Sequence, residues 1–106
     1  MTNKKENQNT VSYHEELIKS LKDPAEAEAY LNVALDEYDQ DGDYEAFMIA
    51  LKNLADATGG INELANKTHL NRQNLYRVLS KNGNPRLDTL SAIIHGLGFK
   101  LAVARV

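Results

Sequence analysis

Cysteine is absent from the chain. That excludes disulfides, thiolate metal sites and a cysteine nucleophile, and it fits a reducing cytoplasm. Tryptophan is also absent, proline occurs only twice, and long apolar runs are missing. The longest, Phe47 to Leu51 and Leu101 to Ala104, fall far short of the roughly 20 residues needed to cross a bilayer. No apolar stretch follows Lys4 and Lys5, so a secretory leader is not expected either. What remains is 106 residues, 42% hydrophobic and 25% charged, the composition of one small globular domain with a single core.

The formal net charge of −3 argues at first against a nucleic-acid partner, but the average conceals an asymmetry. Residues 1–58 hold five lysines against thirteen acids, a net −8, whereas residues 59–106 hold seven lysines and arginines against Glu63 and Asp88, a net +5. A basic half behind an acidic one points to a polyanionic partner for the basic half.

Residues 1–11 are polar and aperiodic, which predicts a flexible tail. Ser12 followed by Glu15 fits a capping box opening a short helix from Tyr13 to about Lys22. Asp23-Pro24-Ala25-Glu26 is a second helix start, with an acceptor at the N-cap and Pro at the first helical position. Ala27, Tyr30, Leu31, Ala34, Leu35 and Tyr38 then form one helical face that should be buried. Residues 39–43 break the pattern before a third helix from Tyr44 to about Thr58, with Phe47, Leu51, Leu54 and Ala55 inward; Gly59 and Gly60 end it. Residues 12–58 are thus read as acidic helices packing on the core.

Residues 59–98 predict a fourth helix over Ile61 to Lys67, a fifth from Asn71 to about Ser80 and a sixth from about Asp88 to Gly96, with Leu90, Ile93, Ile94 and Leu97 inward and Gly98 as a left-handed stop. From Phe99 to Val106 the apolar period changes to two, which predicts a strand whose partner is another molecule.

Asp39, Asp41, Asp43 and Gly42 invite a calcium-loop reading. With Gly42 at loop position 6, position 12 is Met48, where an EF-hand requires a bidentate Glu, so the reading fails and Asp43 is expected to be a helix N-cap. His14, His69 and His95 have no metal-ligand spacing, and no catalytic triad, phosphate loop or paired carboxylates stand out. No catalytic residue, metal or cofactor is assigned, and an enzyme is not expected.

The fourth and fifth helices, joined only through His69 and Leu70, form a tight corner. Ala65 marks the crossing, where a larger side chain would push the helices apart; Leu64, Leu70, Leu75 and Val78 supply the small core, and Asn71 caps the second helix. The outer face of that helix carries Arg72, Gln73, Asn74, Tyr76 and Arg77, and no acid occurs from Lys67 to Leu87. Arg can donate two bonds to guanine, and Gln and Asn can pair bidentately with adenine in a major groove. Lys81, Asn82, Asn84 and Arg86, in the following loop and at the next helix start, suit phosphate contacts that position without reading bases. The candidate DNA-binding set is therefore Asn71, Arg72, Gln73, Asn74, Arg77, Lys81, Asn82, Asn84 and Arg86. The acidic outer face of the second helix, with Glu26, Glu28, Asp36 and Glu37, is a candidate contact for a basic protein.

From about Asp23 to Val103 the chain resembles the antidote (antitoxin) proteins of bacterial addiction modules, a branch of the lambda-repressor and Cro-like helix-turn-helix superfamily. The resemblance is carried by Leu21-Lys22-Asp23-Pro24 with Ala29-Tyr30-Leu31-Asn32, by Phe47 to Ala57, and most specifically by Asn74 to Pro85. It implies an all-α, lambda-repressor-like bundle with a helical N-terminal extension and a short C-terminal β-strand. It further implies a homodimer that binds a double-stranded DNA operator, represses its own operon and neutralises a cognate toxin of RelE/ParE-like type. The turn position usually held by Gly in such corners is His69 here, where the backbone is expected to need a positive φ. Two other functions stay open at this stage: a phage-like transcriptional repressor with no toxin partner, and a protein-interaction module that has lost DNA binding.

Overall fold

A computed structural model describes residues 13–80 and 84–106. Its regular structure, among the described residues, is entirely helical. A helix over residues 13–20 (α1) is followed by α2 (Pro24–Asp41), α3 (Tyr44–Ala57), α4 (Gly60–Thr68), α5 (Arg72–Val78) and α6 (Leu87–Gly96). The flexible tail and the Ser12 cap lie outside the described residues.

Local chemistry accounts for most helix starts. The Asp23 carboxylate accepts from the Glu26 amide at 3.4 Å with Pro24 in the first turn, and the Asp43 carboxylate accepts from the Ala46 amide at 3.1 Å. Asp43 is thus the N-cap of α3, as expected, and its own amide donates to the Asp41 carboxylate at 2.8 Å. The chain departs from expectation just before this point. Residues 39–41 continue α2 instead of breaking it, because the stop is Gly42 in the left-handed region (φ 69°), whose amide reaches back to the Tyr38 carbonyl at 2.7 Å. α6 begins at Leu87, one residue early. It closes as foreseen at Gly98 (φ 98°): the Gly98 amide donates to the His95 carbonyl and the Phe99 amide to the Ile94 carbonyl, both at 3.0 Å, the paired bonds of a Schellman stop.

α3 packs between α2 and α4, and α4 packs in turn on α5 and α6. One continuous core runs from Leu21 through Ala27 and Leu31 of α2, Phe47, Met48, Leu51, Leu54 and Ala55 of α3, and Ile61 and Leu64 of α4, to Leu75, Ile93, Ile94 and Leu97. The predicted inner face of α3 is buried throughout, and Met48, Ala50 and Ala57 join it. On α2 only Ala27 and Leu31 are fully buried. Tyr30, Ala34 and Leu35 are half-buried, and Tyr38 is exposed with its ring 6.3 Å from that of Tyr44 and 6.1 Å from that of Phe47. The Tyr30 hydroxyl accepts from the Asn53 side-chain amide at 3.0 Å and ties α2 to α3. The Tyr44 hydroxyl is buried without a partner among the described residues; burial first, and Tyr38 second, push its pKa above the ordinary tyrosine value.

The expected C-terminal strand is not present. Phe99 packs half-buried against the core, but residues 99–106 take neither helix nor strand among the described residues. A strand is defined by its ladder, and the single chain offers this segment no second strand to pair with.

Candidate nucleic-acid interface

The α4–α5 corner is built from short-range bonds. Thr68, the last residue of α4, donates its hydroxyl to the Leu64 carbonyl at 2.8 Å and accepts from the Leu70 amide at 3.2 Å, so one side chain closes the helix and holds the turn. His69 takes φ 60°, the only positive φ of a residue other than Gly among the described residues, as the resemblance implied for that turn position. Asn71 then caps α5: its Oδ1 accepts from the Gln73 amide at 2.7 Å and the Asn74 amide at 3.3 Å. Leu64 and Leu75 are buried beneath the corner, with Ala65, Leu70 and Val78 half-buried around them.

α5 is shorter than its expected span, Arg72–Val78 with Asn71 outside as the cap, because the chain leaves the helix at Leu79. Leu75 is its one fully buried residue, while Arg72, Gln73, Asn74, Tyr76 and Arg77 are all exposed. Two of these are held by neighbours. The Arg72 guanidinium donates to the Asn62 side-chain oxygen of α4 at 3.1 Å, and the Arg77 guanidinium donates to the Asn74 side-chain oxygen at 2.6 Å. Both arginines keep further donors, since a guanidinium has five.

A cleft of about 320 Å³ between α5 and α6 is bordered by Asn74, Arg77, Asn84, Arg86 and Thr89. It brings four of the nine candidates together, with Arg72 and Gln73 at the other end of α5. Arg86 lies 3.7 Å from the Asp88 carboxylate, with both side chains open to solvent, a pairing of little energetic weight. Asn71 joins the set through its cap, which uses its oxygen and leaves its amide NH₂. Lys81 and Asn82 lie outside the described residues. Asn62 and Thr68 escaped the sequence reading: Asn62 reaches Arg72 across ten residues, a contact without a local pattern, whereas a Thr just before the turn was a usable signal.

Gly96 also escaped it. A Cβ at that position would stand 2.7 Å from Leu64 Cδ1 and 2.7 Å from Thr68 Cγ2, so the close approach of α6 to α4 depends on the missing side chain. Through Thr68 that approach bears directly on the turn.

The described residues hold no helix long and apolar enough to cross a membrane. No curated protein and no solved structure matches the chain. One family profile does, described as probable addiction module antidote protein, over residues 13–105, which spans the whole corner and the helices α1 to α6 of the described residues. The chain therefore belongs to the family of probable addiction module antidote proteins.

Proposed function

We propose that this protein is a sequence-specific DNA-binding antitoxin of a type II toxin–antitoxin module, which represses its own operon and neutralises a toxin of RelE/ParE-like type. Family membership supports the antidote role and implies a cognate toxin. The observation that carries the DNA part is the corner itself. A capped helix presents Arg72, Gln73, Asn74 and Arg77 to solvent, free of carboxylates, behind a three-residue turn with one left-handed residue. This arrangement supports reading the corner as a helix-turn-helix whose second helix enters a major groove, within a lambda-repressor-like arrangement of α2 to α6.

In this reading Arg72 and Gln73 contact base edges near the start of α5. Arg77, Asn84 and Arg86, with Lys81 and Asn82 beside them, hold phosphates and set the register. Two copies related by a two-fold axis would place their α5 helices in successive major grooves, roughly 34 Å apart along the duplex. The acidic outer face of α2, where Glu26, Glu28, Asp36 and Glu37 are all exposed, is turned to the toxin, since it would be repelled by phosphate.

The test is binding to DNA from upstream of the protein's own reading frame, measured with Arg72→Ala and Gln73→Ala. Each is expected to lose about 1 to 3 kcal/mol of affinity and to relax base preference at one position. Affinity should also fall steeply with salt. Unchanged affinity and base preference in both variants would remove the groove assignment, and co-purification with the product of the adjacent gene tests the toxin assignment separately.

A further inference from the structure

Two aliphatic side chains of α2 and α3 stand where helical spacing calls for polar ones. Val33 falls outside the apolar series of α2 and is 55% exposed. Ile49 belongs to the run Phe47 to Leu51, whose other four side chains are buried, yet it is 54% exposed. The packing of α2 on α3 brings the two to one face. The helices run antiparallel: the Tyr30 hydroxyl meets Asn53 at 3.0 Å, and the Tyr38 ring lies 6.3 Å from that of Tyr44 and 6.1 Å from that of Phe47. This register sets residues 33 and 34 opposite 49 and 50. Val33 comes three residues after Tyr30 and Ile49 four before Asn53, so both stand one turn along from that half-buried bond, in the same direction. Ala29 and Ala46, also exposed, lie a turn from Val33 and Ile49 and widen the apolar patch.

Charge decides what can cover this face. Residues 24–57 carry nine acids and a single basic residue, Lys52, whose ammonium lies 3.3 Å from the Asp56 carboxylate. Glu37, one turn after Val33, and Glu45, one turn before Ile49, are both exposed and flank the patch. Nucleic acid is repelled by such a rim. A second copy joined through the same face is disfavoured too, since a two-fold contact brings two acidic rims together. A basic protein that presents an apolar side chain meets both features, an apolar centre and a rim of opposite charge. Family membership implies one partner protein, the cognate toxin.

We infer that the cognate toxin docks on the face formed by Val33 and Ile49. An apolar side chain of the toxin is seated on these two residues, and its lysines or arginines meet Glu37 and Glu45 at the rim. The apolar centre supplies most of the affinity, while the carboxylates steer the approach and set the orientation. The face is built from α2 and α3 and uses none of the candidate DNA contacts on α5 and at the start of α6. This surface deepens the antidote reading given above and rests on it for the identity of the partner.

The test uses the full chain and the product of the adjacent gene, with the dissociation constant of their complex read by titration calorimetry. Val33→Gln and Ile49→Gln should each raise it about tenfold or more, and the double variant should no longer restore growth to cells expressing the toxin. Far-UV circular dichroism of both should match the parent, because the two side chains are exposed. Glu37→Lys should weaken the complex and flatten its dependence on salt. Leu87→Gln, at a position 72% exposed at the start of α6, should bind the toxin as the parent does. Parent-like affinity in both Val33→Gln and Ile49→Gln would overturn the inference and leave the toxin assignment standing. Sedimentation velocity of the antidote alone supplies a second check: reduced self-association of the double variant would assign the face to a second copy and overturn the inference as well. A parent chain that does not bind the adjacent gene product removes the toxin assignment and this surface with it.

Discussion

Replacing Gly96 by Ala tests whether the α4–α6 contact sets the geometry of the corner. Helix propensity alone favours the change by about 0.5 to 1 kcal/mol, since Gly loses more backbone freedom than Ala. Packing opposes it. The new methyl would lie 2.7 Å from both Leu64 Cδ1 and Thr68 Cγ2, closer than carbon atoms approach without displacement. Leu64 is 3% exposed and has little space to retreat. Thr68 cannot turn away without breaking its bonds to the Leu64 carbonyl and the Leu70 amide. Overpacking of this kind costs about 1 to 3 kcal/mol, so the mid-range values leave a net loss of about 1 kcal/mol. Against a total stability of roughly 5 to 15 kcal/mol for a chain of this size, that is a readily measured fraction. Urea unfolding followed by circular dichroism should show a lower midpoint with an unchanged slope. Thr68→Ser keeps the hydroxyl and removes the Cγ2 methyl, so the double variant Gly96→Ala/Thr68→Ser should recover part of the loss as a coupling energy. A Gly96→Ala protein as stable as the parent, or a double variant with strictly additive losses, would refute the argument that Gly96 sets the approach of α6.

Asn71→Ala removes both bonds that cap α5 and should cost about 1 kcal/mol in the same unfolding assay; Asn71→Asp, which keeps the acceptor, should retain most of it. At His69, with φ 60°, Gly is expected to match or exceed the parent stability, whereas Val, branched at Cβ, should lose about 1 to 2 kcal/mol; the reverse order would contradict the left-handed turn. Tyr44→Phe deletes a buried hydroxyl with no partner among the described residues and should be neutral or stabilising by thermal melting. Because the folded-state pKa of Tyr44 is raised, its contribution is fully present below the unfolded tyrosine value near pH 10 and is lost as pH rises through the folded value. Stability of the parent should therefore fall more steeply above about pH 10 than that of Tyr44→Phe.

Features that depend on near neighbours in the chain were legible in the sequence. Asp23, Asp43 and Asn71 announce helix starts because a short polar side chain followed by a helical stretch can bond only to the amides just ahead of it. The stop at Gly98 follows from backbone sterics at one residue and the inner face of α3 from its apolar spacing, whereas the positive φ at His69 was implied by the resemblance, since Gly usually holds that turn position. The candidate site was readable to the same depth: the exposed row on α5 is the complement of the buried Leu75.

Only the tertiary structure decided the rest, because the decisive neighbours are remote in the chain. Arg72 meets Asn62 and Tyr30 meets Asn53 through the packing of whole helices. Arg77 and Arg86 share a cleft only because α6 returns beside α5. Gly96, unremarkable as the last residue of a helix, is required by two side chains, Leu64 and Thr68, on a helix far earlier in the chain. Tyr38 lies on the apolar face of α2 by periodicity, yet it is exposed, since α3 covers that face only in part. The period-two pattern after Gly98 describes a capacity to pair, and whether it becomes a strand depends on a partner that no pattern within one chain can supply.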